Sequence, residues 1–201
     1  MANILLSGPT VEPITLAEAK AHLRVDASGE DSLIQSLIMA SRLHIEAALD
    51  LALITQSWRH QRDVWPPSRV LILPLRPIQS LTAVTLHDDD ATSGALNASD
   101  FVVDGHANPA RLVWRGNGAV PAAGIIANGI EIDIVAGYGD AATDVPQPIR
   151  QALLLLQDAS HAPSQPRVQA DTRAGPRGRH GHRPAHDDHA WVRHRAARRR
   201  Q

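Results

Sequence analysis

Apolar residues repeat along this chain first with a helical period, then with a strand-like one, then with a helical one again. Thr15-Leu16-Ala17-Glu18 has the T-x-x-E form of a capping box, in which hydroxyl and carboxylate satisfy each other's unpaired backbone amides. Leu16, Ala19 and Leu23 then share a face, which predicts a helix over about 15–25. Asp26 to Glu30 is a polar connector. From Asp31 to about Asp50, Leu33, Ile34, Leu37, Ile38, Ser41, Ile45, Ala48 and Leu49 fall on one side of a second helix. The acids in its first turn suit the helix macrodipole.

The spacing then tightens. Thr55 to Trp65 alternates loosely and stops at Pro66-Pro67. Val70 to Leu73 is a short apolar strand ended by Pro74, and Leu81 to Leu86 alternates before a turn-rich stretch from Asp88 to Gly94. Phe101 to Val103, Leu112 to Trp114 and Ile130 to Val135 are further short strands, with glycines and prolines in the gaps. Val145-Pro146-Gln147-Pro148 opens a last helix over about 147–157, whose apolar face is Ile149, Ala152, Leu153 and Leu156. Two helices, five or six short antiparallel strands over 55–135 and one helix make an α+β domain spanning 1–156. After Leu156 the pattern ends: from 157 to 201 the only large apolar residues are Val168, Trp191 and Val192. Such a segment cannot offset its ordering entropy, so it is expected to be disordered unless a partner binds it.

Composition adds a second boundary at the same place. The 201 residues carry a formal net charge of −1. Residues 1–156 hold 10 Lys+Arg against 17 Asp+Glu, a charge of −7, whereas residues 157–201 hold 10 Arg against 4 Asp, a charge of +6. Three readings of the basic segment stay open: a solvated tail, an arm that docks on a partner, or translation outside the original frame. Without Cys there is no disulfide framework and no thiolate chemistry. No run approaches 18 apolar residues, so no spanning helix is expected. Met1 to Pro9 lacks the basic region and long apolar stretch of a secretion signal.

Candidate chemistry is sparse. Gly137-Tyr138-Gly139 lacks the third glycine of a phosphate-cradling loop. His22 and His44 fall on helices, His60 and His87 on strands and His106 in a loop, which reads as surface or capping use rather than ligation. Asp88-Asp89-Asp90 invites a hard cation, but neighbouring strand residues point apart and nothing completes a calcium loop, so a solvated hairpin tip is expected. His180-Gly181-His182 and His186-Asp187-Asp188-His189 have no core to hold a metal geometry. The Arg-rich segment offers sequence-blind attraction to phosphates, a nucleic-acid-binding alternative, although the acidic body would repel a duplex. No enzyme and no cofactor follow.

The order of motifs resembles the head–tail connector (adaptor, or head-completion) proteins of long-tailed phages and gene transfer agents. The landmarks are P-x-T-L-x-E-A-K-x-H-L-R-V (Pro13 to Val25), E-D-x-L-I with the long helix (Glu30 to Leu49) and T-Q-S-W (Thr55 to Trp58). Leu73 to Leu81, Leu96 to Phe101, A-G-Y-G-D (Ala136 to Asp140) and V-P-x-P-I-R-Q-A (Val145 to Ala152) follow in the same order, covering about residues 10–156. In similar proteins the last helix continues with an H-W-Y-x-N-R-E pattern; here Leu156 runs into Gln157-Asp158-Ala159. The resemblance implies a structural virion protein, assembled in the bacterial cytoplasm and forming a ring, commonly twelvefold, beneath a portal. Its implied partners are other copies of itself, the portal, a stopper or tail-completion protein, and DNA passing without sequence-specific binding; no membrane is implied. On that reading Asp88, Asp89 and Asp90 are candidates for the channel wall. Trp191, Arg193, Arg195, Arg198, Arg199 and Arg200 are candidates for a partner-docking tail.

Overall fold

The computed structural model describes residues 2–90, 92–116 and 118–161. Its first element is a strand that the spacing does not announce, β1 (Ala2–Ser7). β1 lies at a sheet edge with side chains half-exposed on both faces, so it carries an unbroken Ile4-Leu5-Leu6 run instead of alternation. The capping box forms as expected. Thr15 Oγ1 accepts from the Glu18 amide, Glu18 Oε2 accepts from the Thr15 amide, and α1 (Leu16–Leu23) starts there. Arg24 ends it in the left-handed region at φ 57°.

The second helix, α2 (Asp31–Leu49), buries Ile34, Ile38, Ser41, Arg42 and Ile45. This stripe is narrower than the expected face. Leu33 and Leu49 point to solvent, and the buried cation Arg42 takes a place that periodicity assigned to nothing. The third helix, α3 (Gln147–His161), corrects the expected end near 157: one more turn forms, and Gln157 takes the buried slot after Leu153. Among the described residues no helix is long and apolar enough to cross a membrane.

Between α2 and α3 run β2 (Gln56–Arg62), β3 (Val70–Ile72), β4 (Ile78–His87), β5 (Ser93–Leu96), β6 (Phe101–Asp104), β7 (Arg111–Trp114) and β8 (Ile130–Ala136). The strands expected from the sequence are all present; β1 and β5 are additional. One antiparallel sheet has the order β1-β2-β8-β4-β5 and the other β3-β7-β6. Alternation on β8 sends Ile130, Ile132, Ile134 and Ala136 inward, where they meet Val84, Leu86, Leu71, Leu112 and Phe101 in a core between the sheets. The Phe101 ring is stacked on Trp65 and set edge-on to Trp114.

A second core lies among the helices, built on Ile14, Ala19, Ile34, Ile38, Ile45 and Leu153. The buried run Leu51-Ala52-Leu53-Ile54 joins the two: Ala52 packs into the sheet core, and Leu51, Leu53 and Ile54 into the helical one. Gly137, with φ 135°, lies so close that a Cβ would come within 2.7 Å of the Ile54 carbonyl. The G-Y-G segment therefore serves as a tight backbone crossing.

Gln157 is 0% exposed, and neither its amide nitrogen nor its amide oxygen has a hydrogen-bond partner. A buried polar group left unsatisfied costs about 1–3 kcal/mol. Gln157→Leu, similar in volume, is expected to raise the thermal unfolding midpoint by roughly 2–12 °C for a domain of this size. A lowered midpoint, read by circular dichroism, would show that the amide is satisfied in solution.

Candidate assembly surfaces

The acidic hairpin tip sits where β4 turns into β5. Asp88, Asp89 and Asp90 are all exposed. The turn is closed by the Asp88 amide donating to the Thr92 carbonyl, and Asp90 Oδ1 accepts from both the Thr92 amide and its hydroxyl. Those bonds, led by the Thr92 hydroxyl, hold the Asp90 carboxyl below the usual range. Behind the tip, the Gly124 and Ile125 amides donate to the His87 carbonyl. A Cβ on Gly124 would meet Asp88 Oδ1 at 2.9 Å, so only glycine lets that loop brace the turn. The Arg-rich candidates Trp191, Arg193, Arg195 and Arg198 to Arg200, and the His180 to His189 stretch, lie outside the described residues.

A second charged surface escaped sequence reading. On the outer face of the five-stranded sheet, Arg59 binds Asp133 through two parallel bonds of 2.7 and 2.8 Å. Its third nitrogen lies 2.9 Å from Glu131 Oε2. Gln61 donates to Glu131 at 2.9 Å, and His87 Nε2 stands 3.2 Å from the same carboxylate. Burial pushes Glu131 upward, but the hydrogen bonds and the Arg59 charge outweigh it and hold the carboxyl low. These residues are neighbours only because the register sets Arg59 against Asp133 and Gln61 against Glu131. Nothing local in the sequence signals that pairing.

The residues that carry the resemblance act mostly as internal braces. Arg42 is 6% exposed. It donates to Glu12 at 2.8 and 3.3 Å and to Glu46 at 2.8 Å. Burial works against its charge, and the two carboxylates more than compensate, raising its pKa. The other oxygen of Glu46 accepts from the Leu53 amide and from Gln56, and the Trp58 indole donates to Gln56. The Thr55-Gln56-Ser57-Trp58 motif thus closes a polar chain running from the N-terminal arm to β2. Lys20 reaches Asp31 at 2.6 Å, and Arg150 binds both Glu18 and the Pro13 carbonyl. The last turn of α3 is held by His22 on Asp158 at 2.9 Å and His161 facing Glu30 at 3.5 Å.

His60 corrects the expectation that the histidines lie at the surface: it is 4% exposed, facing the core from β2. Its Nδ1–H donates to the Asn3 side-chain oxygen at 2.6 Å, which ties β1 down and leaves Nε2 unprotonated and without a partner. Within β1, Ile4, Leu5 and Leu6 are exposed. An apolar cleft of about 700 Å³ opens between the N-terminal arm and α2, with Val11, Ile14, Ile38 and Met39 among its lining.

Residues 13–90 match the family model of the phage gp6-like head–tail connector proteins. The chain resembles a head–tail connector. Among solved structures, this connector-like chain is similar to one in the virion of a native gene transfer agent particle, at 23% identity and a TM-score of 0.71, covering 82% of this chain and 86% of that one. It is also similar to a chain in the neck of an empty gene transfer agent particle computed with C6 symmetry, at 22% identity and a TM-score of 0.72, covering 83% and 86%. A third, in the neck of a native particle computed with C12 symmetry, has 22% identity and a TM-score of 0.69, with 83% and 86% covered. At these identities the likeness shows a shared fold. No curated protein matches the chain.

The buried imidazole gives the connector-like domain an acid sensitivity. Burial, with the nearby Arg62 charge second, pushes His60 from the ordinary 6.5 down to about 4. The unfolded chain therefore takes up a proton that the folded one refuses. The stability from neutral His60 is complete above pH 6.5 and is lost as pH falls toward 4. Between those limits the unfolding free energy should fall about 1.4 kcal/mol per pH unit more steeply in the wild type than in His60→Gln. Urea unfolding at several pH values measures both slopes; parallel slopes would sink the assignment.

Proposed function

We propose that this protein is a structural connector in the neck of a phage or gene-transfer-agent particle. In this reading it forms a ring between the portal and the stopper or tail, extends the DNA channel and catalyses no reaction. The observation that carries the reading is the connector-family match over residues 13–90 on a fold shared with chains of gene transfer agent necks. The physics of the body agrees with such a role. Its buried charges brace elements against one another, and three successive acids, Asp88 to Asp90, stand on an exposed tip.

A ring of identical subunits needs side-to-side contacts that close on themselves. Within it, the tip carboxylates Asp88, Asp89 and Asp90 face the channel and keep DNA from adhering as it passes. The Arg-rich segment, with Trp191 as its one aromatic, docks on the portal or on a neighbouring copy.

Deleting the gene in a producing strain should leave DNA-filled heads and separate tails, visible by electron microscopy, and the full-length gene should rejoin them. Heads and tails joined normally without the gene would overturn the reading. Complementation with the Asp88→Asn, Asp89→Asn, Asp90→Asn triple variant is expected to restore joining but slow DNA delivery. Unchanged delivery removes the channel-wall role. Complementation with a chain ending at residue 161 is expected to fail; success removes the docking role of the arm.

A further inference from the structure

The five-stranded sheet ends in two edge strands, each paired on one side only, and neither carries a charge or a proline. Natural sheets blunt their edges with charges, prolines or bulges, because a row of free N–H and C=O groups recruits other strands. β1 (Ala2–Ser7) contains neither a charge nor a proline, and Ile4, Leu5 and Leu6 are 42–48% exposed. Its one irregularity falls between Leu5 and Ser7, so Ala2 to Leu5 is a regular four-residue stretch. At the far edge, β5 (Ser93–Leu96) is also four residues long, without charge or proline, and Ser93, Gly94 and Ala95 are exposed. Among the described residues, β1 pairs only with β2, β5 pairs only with β4, and no other backbone bond reaches either strand.

β1 is held ready rather than loosely attached. The bond from His60 to Asn3 joins a buried ring to an exposed strand residue, at the position where Asn3 opposes His60 in the ladder. An exposed terminal strand with such an anchor keeps its outer row of donors and acceptors in a fixed line.

We propose that β1 of one protomer pairs with β5 of a second copy, so that the five-stranded sheets run on from subunit to subunit. The inference rests on the ring reading and names its contact. The occupant of each edge is the other edge of the same sheet. The two stretches match in regular length, and neither brings a charge into the new ladder. Because β1 and β5 are different surfaces at opposite ends of one sheet, the contact is head-to-tail, the kind that propagates and can close. A β1–β1 contact would be two-fold and stop at a dimer. The main chain supplies the attraction, as in other strand-addition contacts, and the apolar β1 side chains gain cover at the seam.

The absence of cysteine from the chain makes the test clean. Full-length variants carry Ala95→Cys with either Ile4→Cys or Leu5→Cys, two β1 sites on opposite faces, so that one lines up whichever face the register presents. Light scattering follows the oligomers, and mild oxidation followed by a denaturing gel follows the covalent product. The expected result is a ladder of multimers from one of the double variants and none from any single variant. Oligomers that give no ladder from either double variant overturn the β1–β5 contact while leaving the ring. A covalent dimer from Ile4→Cys or Leu5→Cys alone overturns it in favour of a two-fold pair. A chain that stays monomeric up to millimolar concentration overturns the ring reading and this contact together.

Discussion

A guanidinium shut away from water needs carboxylates around it, and Arg42 has one on each side. Glu12 comes from the N-terminal arm and Glu46 from the next turn of the same helix. Removing one partner from such a group leaves a buried charge that costs about 3–5 kcal/mol, so the three side chains keep their geometry together. The consequence spreads because Glu46 has a second oxygen. That atom takes the Leu53 amide and Gln56, and so fixes the buried crossing between the helical core and the start of β2. β2, which lies between β1 and β8 in the sheet, begins at that crossing. Ion pairs of this kind contribute little net stability, because desolvation offsets the attraction, but losing one partner alone is costly.

Periodicity made the helices legible because each keeps one apolar stripe against a core, and the Thr15–Glu18 box announced where the first begins. The inner strands were legible because one face is buried and the other wet, as on β8. β1 and β5 were not, since an edge strand need not hide either face. Arg42 and His60 were missed for a related reason. A buried polar residue looks like a surface one until its partners are known, and those lie 30 and 57 residues away in sequence. The end of α3 was misjudged because Gln157 is polar by type and buried by position. Of the candidate surfaces, the acidic tip could be read from its local composition. The Arg59–Glu131–Asp133 network could not, because it exists only in the register.

The motifs behind the family resemblance have a physical reading. Lys20 with Asp31 and Gln56 with Glu46 join neighbouring elements, and Arg150 with Glu18 and Gly137 against Ile54 join segments distant in the chain. They hold a scaffold together and leave the outside free to differ. A similar fold at 22–23% identity is compatible with that division, because the braces involve few residues and the surface involves many.

The clasp between the first and last helices sets an order of events during synthesis. His22 waits for Asp158, 136 residues downstream, and the face that α1 turns toward α3 has no cover until then. At about 5–20 residues per second, translation leaves that face bare for roughly 7–27 seconds. The β1–β2 hairpin-like pair is complete much sooner, since Asn3 and His60 are only 57 residues apart. Nascent chains therefore present an unfinished helical layer beside an early strand pair. A producing cell that makes many copies at once has to keep those layers apart until each chain supplies its own third helix.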